Sequence, residues 1–136
     1  MNSLKGGRGK AGRLKEGELD TQTHDVLSAL RAATAGGFDN DVGSERYSAL
    51  REISGNISRS RALQSYTPSE TAKFVLSLKE PIFDRLGKSI GDAASLRREI
   101  WSLTLLIDGL ALYTTDVFQQ SREEVIKRQQ EELTEL

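Results

Sequence analysis

The sequence contains no cysteine, one histidine, one tryptophan and two prolines in 136 residues. Lack of cysteine rules out disulfides and thiolate metal centres. His24, the sole histidine, stands between Thr23 and Asp25 with no carboxylates at ligand spacing, so no zinc site is expected. As a haem ligand it would need an apolar pocket, and its place near a helix start points to solvent or capping instead. No run approaches the ~20 apolar residues that span a bilayer. The basic N-terminus leads into Gly and Glu rather than an apolar segment, so no signal peptide is expected and the chain reads as cytoplasmic. A formal net charge of -1 gives no global pull toward nucleic acid or an acidic membrane. No serine sits in a glycine-flanked nucleophile elbow. Most carboxylates lie at helical spacing from bases, the pattern of a solvated face. No catalytic constellation can be assembled, and an enzyme is not expected.

What is present is helical. Hydrophobic residues make up 37% and charged residues 29%, which suits one polar domain with a modest core. Residues 1–16 read as a flexible basic tail, in which Lys5, Arg8, Lys10, Arg13 and Lys15 alternate with glycines. The Gly9-Lys10 pair resembles a phosphate loop, but Ala11 stands where a metal-binding Ser or Thr is needed. A first helix is expected from Asp20 or Thr21 to Ala35, stopped by Gly36-Gly37. After a loop from Phe38 to Gly43, Ser44 is expected to cap a second helix carrying the stripe Tyr47, Leu50, Ile53 and Ile57. Thr67-Pro68-Ser69-Glu70 is a capping box with proline at the first helical position, and it starts a helix that offers Ala72, Val75, Leu76 and Leu78 for burial. Pro81 forces a kink or restart before Ile82, Phe83 and Leu86. Residues 17–118 together make the expected helical bundle.

From Asp92, a candidate cap, to Leu136 there is no proline and a single glycine, Gly109. One long helix is expected, with a bend at Gly109 or at Thr114-Thr115. Leu96, Ile100, Leu103, Ile107, Leu110 and Val117 alternate in steps that suit a core or a coiled-coil seam. Trp101, Leu105 and Leu106 widen that stripe, so this half is expected to be buried on more than one side, with Phe74, Phe83, Trp101 and Phe118 in the core. Beyond Phe118 the apolar residues thin to a seam, and residues 119–136 read as a linker helix. Phe118, Val125, Ile126, Leu133 and Leu136 are the candidate contacts for pairing with a second copy. Glu123–Lys127, Glu124–Arg128, Lys127–Glu131 and Arg128–Glu132 are spaced to support a solvated helix. The ladder is in mid-pattern at Leu136, which gives the expectation of an output domain beyond it.

The stretch from Thr67 to Pro81 (TPSETAKFVLSLKEP) resembles the N-terminal domain of RsbRD-type RsbT co-antagonists. Ser121 to Leu136 (SREEVIKRQQEELTEL) is similar to the same family's linker, and Leu112-Tyr113-Thr114 with Val117 and Phe118 also fits. The likeness covers residues 60–136 well and the first half weakly. It implies a dimeric, non-enzymatic input domain ahead of a STAS domain, within a stressosome built with RsbS-like scaffold proteins that holds an RsbT-like kinase. Input domains of this type also precede DNA-binding outputs, so the input half of a transcription regulator is an alternative. Related RsbR input domains resemble globins that lost haem, and some bind it. The resemblance therefore implies a globin-like variant of the all-α bundle and a haem or gas sensor as a further alternative, with His24 the only ligand on offer. This chain has no histidine in its central helices. The phosphorylated positions of the family belong to the STAS side. A small-molecule pocket between helices would suit a sensor, but the sequence does not locate one.

Overall fold

A computed structural model describes residues 16–37 and 39–135, without the side chain of Glu16. The basic tail, Phe38 and Leu136 therefore lie outside the described residues. These fold into α1 (Glu16–Thr34), a 3-10 turn (Glu45–Tyr47), α2 (Ser48–Ala62), α3 (Pro68–Leu76), α4 (Lys79–Ser89) and α5 (Ala93–Glu135), with no strand among the described residues. No described helix is long and apolar enough to cross a membrane.

The expected punctuation operates by the expected chemistry. Backbone N–H groups of Gly36 and Gly37 both reach the Thr34 carbonyl at 3.1 Å, and Gly37 takes φ 108°, which only glycine adopts without strain. Thr67 Oγ1 accepts from Glu70 N at 3.1 Å while Thr67 N donates to Glu70 Oε1 at 2.8 Å, closing the capping box. Asp92 Oδ2 accepts from Ser95 N at 2.8 Å at the start of α5. Hydrogen bonding from the Ser95 side chain and then from its backbone N–H holds the Asp92 carboxyl below the usual carboxylate range.

Two boundaries differ from expectation, and the restart expected before Ile82 is present. α1 begins before Asp20. Ser44 precedes the 3-10 turn, and its hydroxyl makes no cap bond; it donates to Asp39 Oδ2 at 3.3 Å instead. The helix proper waits until Ser48 because the preceding loop is tied down from within. Arg51 donates to the Val42 and Ser44 carbonyls at 2.7 Å each, and the Tyr47 hydroxyl donates to the Asp39 carbonyl at 2.6 Å. Before Pro81 the chain breaks at Ser77-Leu78 and restarts at Lys79. Pro81 is thus the third residue of α4, where its missing N–H has no intrahelical partner to lose.

α5 is the axis of the fold. It runs 43 residues without interruption, about 64 Å at 1.5 Å per residue, so neither Gly109 nor the threonine pair breaks it. Thr114 and Thr115 each return a hydroxyl to the Ala111 carbonyl at 2.9 Å. A Cβ on Gly109 would stand 3.1 Å from Val42 Cγ1, so the glycine gives the 39–44 loop room to lie on the helix. α2, α3 and α4 pack along α5 as far as Arg122, and α1 packs on α2. Leu103, Leu106, Ile107 and Leu110 meet Val26, Leu30, Tyr47, Leu50, Val75 and Leu78 in one core. Burying each such side chain contributes about 1.5–3 kcal/mol.

Trp101 and Leu105 correct the reading of a helix buried on several sides. They are 62% and 38% exposed, and Leu112 is 69% exposed. With four short helices on one side of α5, the opposite face has no cover within the protomer.

Candidate functional site

The candidate site is the joint where α5 leaves the bundle. On α2, Ser54, Gly55, Ser58 and Ala62 are small and buried, so α2 lies close against α5. A Cβ on Gly55 would meet Tyr113 Oη at 3.2 Å. Ser58 Oγ donates to the Thr114 carbonyl at 2.5 Å, a bond buried in the α2–α5 contact.

One turn further, Phe118 is completely buried and Arg122 lies over its ring, 5.1 Å from the centroid. The Arg122 guanidinium donates through Nε to the Ala62 carbonyl and through Nη2 to the carbonyls of Gln64 at 3.0 Å and Tyr66 at 2.9 Å. Carbonyls at a helix C-terminus lack intrahelical partners and carry partial negative charge, so one cation from α5 satisfies the end of α2. Replacing Arg122 by Met keeps the stem and removes the donors. Hydrogen bonds to a charged group typically contribute about 1.5–3 kcal/mol, and a loss at the lower end of that range is expected in urea unfolding, together with faster amide exchange at residues 62–67.

Beside this clamp, Arg61 is 2% exposed. Its guanidinium lies between the rings of Tyr66 and Phe74, at 4.6 and 4.5 Å, and donates to Gln22 Oε1 at 3.3 Å. Burial lowers its pKa, while Tyr66 and Glu70 pull in the opposite direction. Arg61 therefore joins α1, α2 and α3 just behind the exit of α5.

The residues expected to pair divide on inspection. Phe118 belongs to the protomer's own core and has no surface to offer a second copy. Val125 is half-buried. Ile126 and Leu133 are 52% and 70% exposed, and Leu136 lies outside the described residues. After Val125 every described residue of α5 is exposed, so about 15 Å of helix has no packing within the chain. The four expected tail ion pairs are not closed: among the described residues, the pairs within 4.0 Å are Arg46–Asp39, Lys79–Asp108 and Lys88–Asp84. The tail therefore lacks side-chain bridges of its own.

The exposed face of α5 has an order that the sequence reading missed. Counting by sevens from Leu105 gives Leu112, Gln119, Ile126 and Leu133, and Trp101 lies four residues before Leu105. Trp101, Leu105, Leu112, Ile126 and Leu133 are the large exposed hydrophobics of this helix among the described residues, and all five fall on that one seam. Its signal was legible as a seven-residue spacing. The stronger stripe on the opposite face, Leu103 to Val117, obscured it.

His24 is exposed on α1, its Nε2 3.5 Å from Ser28 Oγ, beside a shallow groove whose lining includes four alanines, Asp25 and Arg46. A deeper cleft between α1, α4 and α5 has no histidine, cysteine, methionine or tyrosine in its lining. These residues do not fit an axially ligated haem. Among the described residues, no three of His, Cys, Asp or Glu converge to hold a metal ion.

Comparison with known proteins agrees with the architecture. The family model described as the RsbT co-antagonist protein rsbRD N-terminal domain matches residues 8–133, nearly the whole chain. Neither the curated proteins nor the solved structures gave a match. The chain belongs to the RsbT co-antagonist protein rsbRD N-terminal domain family, a family of stressosome-related signalling input domains.

Proposed function

We propose that this domain is the non-catalytic input half of a cytoplasmic stressosome protein, that two copies pair in parallel along α5, and that the paired helices relay a change in bundle packing to a STAS domain controlling an RsbT-like kinase, with RsbS-like proteins as scaffold. The observation that carries this reading is the double use of α5. One face is the axis of the protomer's core, and the other is an uncovered heptad seam that continues past the bundle.

A strict seven-residue repeat suits one kind of partner, another helix supercoiled with it. A second copy is the occupant argued here, because parallel pairing sets each seam residue against itself. Leu105, Leu112, Ile126 and Leu133 then form apolar layers, and Gln119 meets Gln119. A polar layer in such a seam fixes register at some loss of stability. Because Ser58 and Arg122 fasten α2 to the same helix, any shift of α2 moves α5 at its exit.

The lack of cysteine supplies the test. Leu133→Cys in the otherwise unchanged chain is expected to give a disulfide-linked dimer on mild oxidation, and Glu131→Cys, on the far side of the helix, is expected to give little. Cross-linking through Gln119→Cys without cross-linking through Leu133→Cys would mean antiparallel pairing, which sends the two tails apart and ends the relay model.

A further inference from the structure

We infer that the cleft between α1, α4 and α5 is a binding site for an aliphatic monocarboxylate, a fatty acid of medium chain length. The cleft has a volume of about 420 Å³, inside the roughly 300–1,000 Å³ of small-molecule sites. Its bed is aliphatic: Leu27 and Leu30 from α1, Ile82 and Leu86 from α4, and Leu103 from α5. Such a bed favours an alkyl chain and offers nothing to a small hydrophilic anion.

The rim has the opposite character. Arg31, in the last turn of α1, and Arg85 of α4 both line it. Neither guanidinium is held in an ion pair among the described residues. The two hydroxyls at the rim are committed to backbone, Thr34 Oγ1 to the Leu30 carbonyl at 2.8 Å and Ser89 Oγ to the Arg85 carbonyl at 3.0 Å. The donors left for a ligand are thus two cations that share the lining of an apolar trough. A carboxylate accepts from guanidinium in a geometry no alcohol or amine reproduces, and a single acyl chain matches the trough below.

Occupancy would act on the fold. α4 has no fully buried residue and rests on the core through the partly buried Ile82, Phe83 and Leu86. A chain lying in the cleft gives α1 and α4 a common packing partner directly over Leu103, which belongs to the long helix. Ligand binding therefore reaches α5 without passing through α2.

Isothermal titration of the intact chain with decanoate, dodecanoate, decanol and acetate tests the assignment. One decanoate per chain is expected, with an increase in Tm. Transfer of each methylene from water is worth about fourfold in affinity, so dodecanoate, two methylenes longer, is expected to bind about fifteenfold tighter. Decanol and acetate are each expected to bind at least tenfold more weakly than decanoate. Arg31→Gln with Arg85→Gln alters only exposed side chains and is expected to reduce decanoate to the level of decanol with unchanged circular dichroism. Ile82→Trp, which fills the trough, is expected to abolish both. Absence of saturable decanoate binding, equal binding of decanol, or decanoate binding indifferent to these substitutions would overturn the assignment. The titration reads the cleft and not the seam, so failure of pairing along α5 leaves the expected result unchanged.

Discussion

Glutamate at both Ile126 and Leu133 is expected to convert the proposed dimer to monomer while leaving the bundle folded. Both side chains are more than half exposed within the protomer, so their replacement removes little packing from a single chain. In the pair, each is buried against its own copy, and two substitutions in two chains place four carboxylates in the seam. Losing about 1.5 kcal/mol of burial at each, before like-charge repulsion is added, amounts to about 6 kcal/mol. That weakens association by roughly ten-thousandfold. Sedimentation over a range of concentrations reads the change directly. A second signal accompanies it. The part of α5 after Val125 has neither intrachain packing nor closed ion pairs, and an isolated helix of that length is marginal in water. Far-UV dichroism is therefore expected to fall by the contribution of the free tail as the proposed dimer is diluted to monomer, while near-UV signals from the bundle stay. A sedimentation profile unaltered by the double substitution would place the interface on another surface.

Local punctuation in this chain was readable because each signal acts within four residues. Thr67 and Glu70, Asp92 and Ser95, and Thr34 with Gly37 need no tertiary context to form their hydrogen bonds. The α5 core stripe was readable for a similar reason, since Leu103, Ile107 and Leu110 recur at helical spacing and do become the centre of the core. What the sequence concealed depends on which elements lie beside α5. Trp101 and Leu105 are as apolar as Leu106, and nothing local says that the four shorter helices all pack on one side. Phe118 reads in the sequence both as core and as the first residue of a free seam, because the end of α2, which Arg122 ties to this part of α5, comes from a distant part of the chain. Arg61 and Arg122 look like ordinary solvated bases in the sequence. Each is placed by carbonyls or rings that only the fold brings near. The small residues Ser54, Gly55, Ser58 and Ala62, spaced along one face of α2, were the overlooked clue that a second helix approaches closely there.

Phe118→Ala carries the largest expected effect on the protomer itself, and it separates core from seam. The ring is fully buried, with the Arg122 guanidinium over its face. Truncation of a buried Phe costs about 3–5 kcal/mol, the sum of lost transfer energy and the cavity left behind. Against the roughly 5–15 kcal/mol of net stability in a domain of this kind, that is a large fraction. With a urea slope of about 1–3 kcal/mol per molar, the midpoint is expected to fall by roughly 2 M. Trp101→Ala provides the contrast, since a surface position usually changes stability by no more than ~0.5 kcal/mol. On a chain held monomeric by the seam glutamates, the two aromatic substitutions are therefore expected to differ severalfold in their effect on unfolding. In the proposed dimer the order of effects on association is expected to reverse, because Trp101 lies on the uncovered seam and Phe118 does not. Were Phe118→Ala to leave the unfolding midpoint unmoved, the joint between α2 and α5 would not be the rigid connection that the relay requires, and the packing of the bundle could change without turning the helix that leaves it.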